Sequence, residues 1–140
     1  MERTKVFVVD DDPDCSRLVQ IILEKTGSFD VKIANGPRGA LAAAREFMPD
    51  VFVLDVDMPE KDGGQLSHEI KTDAALHDVP ILFLTGLIRE EETRGGSALR
   101  GGNRFLSKPP APLALIATIE SLLSEAASAR QGASRQARSQ

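Results

Sequence analysis

Residues 5–13 read KVFVVDDDP, and this short stretch contains a whole strand-to-helix junction. Val6, Phe7, Val8 and Val9 form an apolar run rich in β-branched residues, with no polar alternation. A strand buried on both faces has that pattern. The run ends in Asp10, Asp11 and Asp12. Asp12 suits a helix N-cap and Pro13 the first helical position. Leu18, Val19, Ile22 and Leu23 then recur at helical spacing, and the helix stops near Gly27.

The same unit repeats outward from this junction. Phe29–Ala34 alternates as a second strand. Asn35-Gly36-Pro37 opens a helix carrying Ala40, Leu41, Ala44 and Phe47, and Pro49 closes it. Val51–Leu54 is a third strand, followed by a helix over 63–71 with Leu66 and Ile70 on one face. Residues 79–85 (VPILFLT) give a fourth strand and 103–107 a short fifth. A helix over 88–100 is interrupted by Gly95-Gly96, each glycine costing about 1 kcal/mol relative to alanine. Residues 111–123 form the last helix, with Leu115, Ile116, Ile119, Leu122 and Leu123 apolar. Five strands alternating with five helices predict a parallel sheet covered on both faces, with right-handed crossovers. The folded domain is expected over 1–124. Residues 125–140, without a large apolar side chain, are expected to be a disordered tail or linker stub.

Composition narrows the function. The chain has 140 residues, 41% hydrophobic and 27% charged, with a net charge of -4. These values fit one globular domain and give no sign of direct nucleic-acid binding. No apolar stretch approaches a membrane span, and MERTKVFVV is no signal peptide. The single cysteine, Cys15, cannot pair internally and reads as packing in a reducing compartment, so a cytoplasmic location is expected.

In an open parallel sheet, ligands bind beyond the carboxyl ends of the strands. The first strand ends at Asp10-Asp11, the third at Asp55, the fourth at Thr85 and the fifth at Ser107-Lys108. Carboxylates crowded together raise one another's pKa, and a hard divalent cation relieves that. Mg²⁺ fits, because it takes oxygen ligands and needs only one or two carboxylates. A carboxylate is also a competent nucleophile toward phosphorus. Such a transfer needs a metal and cations around the phosphoryl oxygens more than it needs a base. The chemistry implied is phosphoryl transfer onto an aspartate.

At this point the chain resembles the receiver domains of two-component response regulators, in particular chemotaxis-regulator-like ones. VVDDDP resembles their acidic pocket, LDVDMPEKDGG their phosphorylation loop, LFLTG their switch strand and FLSKPP their lysine–proline turn. All four motifs stand in the right order, spanning residues 4–124. The resemblance implies a flavodoxin-like (βα)5 fold with strand order 2-1-3-4-5. It implies that Asp55 accepts the phosphoryl group and that Asp10, Asp11 and Asp55 hold Mg²⁺, Asp11 directly and Asp10 through water. Asp57 would lend its backbone carbonyl to the metal, although its side chain fits simple solvent exposure equally well. Thr85 resembles the switch hydroxyl, Lys108 the phosphoryl-binding lysine and Phe105 the switch aromatic, although Phe105 also fits plain core. The Lys108–Pro109 peptide is expected to be cis.

The partners implied are a sensor histidine kinase or a phosphotransfer protein, and an output protein or domain that the sequence does not name. That output would be reached through residues 86–107 and the last helix. A phosphorylation-dependent homodimer is a further candidate assembly. On this reading the chain is a signalling domain that catalyses its own phosphorylation and dephosphorylation, and not an enzyme acting on other substrates.

Two rivals share some of these residues. FVLDVD also looks like the first motif of haloacid-dehalogenase-type phosphatases, but there the Asp-x-Asp comes first and the metal-binding acids last. Here Asp10-Asp11 precedes Asp55. A pseudo-receiver with dead chemistry is opposed by the intact Asp10, Asp11, Asp55, Thr85 and Lys108.

Overall fold

The structure is a computed structural model that describes residues 3–56, 58, 63–86, 98–100 and 103–138. Five parallel strands form its sheet: β1 (Thr4–Val9), β2 (Phe29–Ala34), β3 (Val51–Asp55), β4 (Ile81–Thr85) and, numbered in chain order, β6 (Asn103–Ser107). They lie in the order β2-β1-β3-β4-β6. This is the expected 2-1-3-4-5 arrangement of a flavodoxin-like sheet. One further strand, β5 (Ala98–Arg100), pairs antiparallel with β6 at the edge.

That edge strand corrects part of the sequence reading. The helix expected over 88–100 falls mostly outside the described residues, and its last three residues are strand. The sequence gives the reason. Gly95-Gly96 opposes helix propagation before this segment. Between β5 and β6 the chain carries only Gly101-Gly102, a pair suited to a two-residue hairpin connection.

The two faces of the sheet bury alternate residues of each strand. Val6, Val8, Val53, Leu82, Leu84 and Leu106 pack with Cys15, Val19 and Leu23 of α1 (Pro13–Glu24) and with Leu115, Ile119 and Leu122 of the last helix. Phe7, Val9, Phe52, Leu54 and Phe83 face the other way. There they meet Ala40 and Ala44 of α2 (Ala40–Phe47) and Leu66 and Ile70 of α3 (Gly63–Lys71). Burial on both faces is why these strands read as continuous apolar runs. Asp12 caps α1 as expected, its side chain accepting from the Asp14 backbone N–H, with Pro13 in the first turn.

The last helix, α4, runs Pro112–Arg138 and therefore passes through the stretch expected to be unstructured. Helix propensity accounts for the difference. The tail lacks apolar residues but is rich in alanine, arginine, glutamine and serine, and contains no proline. A packed helix propagates into such a sequence without a new nucleation step. Among the described residues no helix is long and apolar enough to cross a membrane.

Gly63, the first residue of α3, touches the backbone of the third strand's end. A Cβ there would lie 2.5 Å from the Asp55 carbonyl oxygen, and the Gly63 N–H donates to the Val56 carbonyl at 2.9 Å. Gly63→Ala must therefore push the Asp55–Val56 backbone aside. The expected outcome is destabilisation by about 1–3 kcal/mol, the usual cost of overpacking, read as a lower urea midpoint. An unchanged midpoint would show that α3 shifts at no cost.

Candidate functional site: an acidic pocket at the carboxyl edge of the sheet

The carboxyl ends of β1, β3, β4 and β6 bring the expected residues to one edge. Asp10 follows β1 and is 1% exposed; Asp55 ends β3 and is 3% exposed. Asp11, one residue further along, is exposed. Carboxylate oxygens of all three lie within 4.8 Å of one another. Such proximity of three acids is unfavourable without positive charge. Lys108 supplies some of it: its Nζ stands 3.0 Å from Asp10 Oδ2 and 3.0 Å from Asp55 Oδ1. The loop after β6 is tied to β4, where the Lys108 backbone N–H donates to the Thr85 carbonyl at 3.0 Å. The Lys108–Pro109 peptide is cis, as expected.

Asp10 is oriented from the α1 junction. The Asp12 backbone N–H donates to Asp10 Oδ1 at 2.9 Å, so the triple-aspartate turn caps the helix and fixes an acid at once. Asp10 Oδ2 is buried, and the charge facing it is the Lys108 ammonium at 3.0 Å. One ammonium shared among three clustered carboxylates leaves their repulsion only partly offset. An oxygen-only set of three carboxylates suits a hard divalent cation such as Mg²⁺. The residues present fit that ion.

The charges perturb one another in a consistent way. Burial pushes the Asp55 carboxyl up, from 3.8 to about 6. The Lys108 ammonium opposes the rise, while the Asp10 charge and the Asp11 carboxyl add to it. Burial disfavours the Lys108 charge too, but hydrogen bonds to Asp10 and Asp55 outweigh it and hold the ammonium well above its ordinary range. Cys15 lines a cavity of about 300 Å³ together with Lys108, Pro109 and Leu18. Burial, and then Asp10, push its thiol up to about 12, so it stays a protonated packing residue near neutrality, as the sequence reading held.

Asp55 gives a pH dependence with a definite sign. Its folded pKa exceeds its unfolded value, so the folded state binds the extra proton and stability falls as pH rises from about 4 through about 6. Lys108 is charged in both states across this window and adds no slope. In metal-free protein the loss due to Asp55 should be on the order of 2 kcal/mol. Urea midpoints between pH 4.5 and 7.5 in chelator test this against Asp55→Asn, which should lack that component. Parallel pH profiles for the two proteins would contradict it.

The other expected residues are placed as follows. Thr85 ends β4, is 4% exposed, and lies one residue beyond Leu84, the register partner of Asp55. Phe105 pairs with Phe83 across β6 and β4 and is half-buried, its ring stacked on that of Phe83 with centroids 5.0 Å apart. It therefore contributes to the core whatever else it does. Asp57 lies outside the described residues. The sequence reading missed the close approach of Gly63 to Asp55 and the Asp12 N–H that holds Asp10. A DGG triplet gives no sign of the first, and only the turn geometry shows the second.

Fold and site together define a doubly wound α/β domain with an acidic, lysine-bearing pocket at its topological switch point. Residues 6–120 match the family described as response regulator receiver domain, and the chain belongs to that family. It is 31% identical over 119 residues to the protein PilH of Pseudomonas aeruginosa, covering 85% of this chain and 97% of PilH. It is 33% identical over 139 residues to the response regulator Rre1 of Synechocystis, covering 99% of this chain and 58% of Rre1. Among solved structures, the chemotaxis protein CheY4 of Vibrio cholerae superposes with a TM-score of 0.73 at 29% identity, covering 86% of this chain and 99% of that one. The chain thus spans nearly all of some relatives and about half the length of others. Receiver domains are phosphorelay signalling modules, not classical enzymes. They interact with histidine kinases or phosphotransfer proteins and generally bind Mg²⁺ at the acidic pocket. The phosphatase reading is not favoured.

Proposed function

We propose that Asp55 of this receiver takes a phosphoryl group from the phosphohistidine of a histidine kinase or phosphotransfer protein. One observation carries the assignment: Asp55 is the buried carboxylate that shares Lys108 with Asp10 and lies within reach of Asp11. Asp10, Asp11 and Asp55 would hold Mg²⁺, with the Asp57 carbonyl as a further donor. When bound, the ion neutralises the acids and the phosphoryl oxygens. Asp55 supplies the attacking carboxylate oxygen. Lys108 keeps its proton throughout and offers a fixed positive charge to the phosphoryl oxygens. Thr85 offers a hydroxyl donor from the end of β4, and Phe105 is the aromatic that responds. The domain itself catalyses uptake and loss of the phosphate. Residues 86–107 and the last helix form the face read by an output protein. Incubation with Mg²⁺ and acetyl phosphate should add one hydroxylamine-labile phosphate by intact mass. No uptake would leave a pseudo-receiver.

The metal role has its own test. Ligand that binds only the folded state stabilises it, by about 2.7 kcal/mol at 100 times Kd. Mg²⁺ should therefore raise the melting temperature, and Asp11→Ala should remove most of the rise. Calorimetry or circular dichroism is the readout, since the chain has no tryptophan or tyrosine. An undiminished Mg²⁺ response in Asp11→Ala would exclude Asp11 as a ligand.

A further inference from the structure

Among residues 112–129 of the last helix, whose burial is described, Leu122 is the last buried one and 127–129 are exposed; the helical backbone continues to Arg138. Residues 126–138 span about 20 Å at 1.5 Å per residue. A helix of that length is marginal alone in water, and Gly132 weakens it further. A helical segment of that length gains order from a firmly held amino-terminal end, where no new nucleation step is needed.

One side-chain contact lies where that hold is made. Arg104 of β6 alternates with Leu106 onto the face that α4 covers, and its guanidinium donates to the Glu125 carboxylate. The Arg104 side chain is only 22% exposed. Glu125 stands one turn beyond Leu122, between the packed part of the helix and its extension. Arg104 also immediately precedes Phe105, and its backbone lies in register with Leu82 of β4.

We propose that the Arg104–Glu125 pair is a clamp through which strand β6 sets the helical order of residues 126–138. A change in the position of β6 moves the guanidinium and loosens or tightens the point from which the extension propagates. The link to phosphorylation rests on the proposed role of Asp55; the clamp itself does not.

Hydrogen exchange of the full chain separates the two. In the absence of phosphodonor, Arg104→Ala and Glu125→Ala should each speed exchange in residues 126–138 by about two- to fivefold, the range expected for one ion pair. β1 and β3 should be unchanged. The charge-exchanged double variant Arg104→Glu, Glu125→Arg should restore the slower rate, which a general loss of packing would not allow. Equal exchange in the wild type and Arg104→Ala, or no recovery in the exchanged variant, would overturn the clamp. With Mg²⁺ and beryllofluoride, exchange in 126–138 should change in the wild type and not in Arg104→Ala. If Asp55 takes phosphate but the extension does not respond, the coupling is wrong and the Asp55 assignment stands. If Asp55 takes none, that assignment falls, and the comparison without phosphodonor still decides the clamp.

Discussion

Asp55→Asn is expected to take up no phosphate from acetyl phosphate under conditions in which the wild type takes up one. The amide has no anionic oxygen to attack phosphorus, and the other two acids of the pocket stand differently. Asp10 is held by the Asp12 N–H and Lys108, and Asp11 is exposed. The variant should fold, because an uncharged side chain suits a site 3% exposed in which burial already disfavours the carboxylate. A shift of about two pKa units corresponds to roughly 3 kcal/mol. That shift already includes the attraction to Lys108, so a stabilisation of up to about 3 kcal/mol is expected in metal-free protein at pH 7.5. Phosphate retained by Asp55→Asn, once peptide mapping had excluded transfer to a neighbouring acid, would overturn the acceptor assignment.

Removing the lysine should have the largest effect on stability. Lys108→Met keeps much of the side-chain volume but leaves Asp10 and Asp55 without the cation they share. Breaking a buried pair by removing one partner costs about 3–5 kcal/mol. Two features lower the figure here: Lys108 is partly exposed, and Asp55 can escape by taking up a proton. About 2–3 kcal/mol is therefore expected at pH 8 in chelator. The sign of the pH dependence follows. Without the ammonium the Asp55 pKa rises further, so the deficit is small at pH 5, where the carboxyl is protonated, and grows as pH rises. Mg²⁺ should recover part of it. Urea midpoints at the two pH values decide the matter. A deficit that is equal at both, or larger at pH 5, would show that the lysine acts through packing and not through charge.

Strand β1 and its acidic turn are legible in the sequence, because the information is local. A continuous Val–Phe–Val–Val run states burial on two faces, and Asp12-Pro13 states a helix start. Thr85 and Lys108 are different. Each is an ordinary residue in isolation, and each gained meaning only from the rule that parallel strands deliver their carboxyl ends to one edge. Phe105 is ambiguous in sequence, and its stacking on Phe83 shows that it contributes to the core. Residues 98–100 are strand and not helix, and the sequence does not show it, because two glycine pairs weaken a helix without indicating what replaces it.

By itself the sequence determined the alternation of strands and helices, the caps and the chemical types gathered at the strand ends. Periodicity, capping and turn chemistry all act between residues close in the chain. Tertiary structure alone decided that Lys108 bridges Asp10 and Asp55, that Gly63 must lack a side chain beneath the Asp55 carbonyl, and that Arg104 meets Glu125. Those contacts join residues remote in sequence, whose meeting depends on strand order, on which face each side chain takes and on where a helix crosses the sheet. The shared burial that lifts the Asp55 pKa arises in the same way, because desolvation and neighbouring charge are properties of the assembled pocket and not of any one segment.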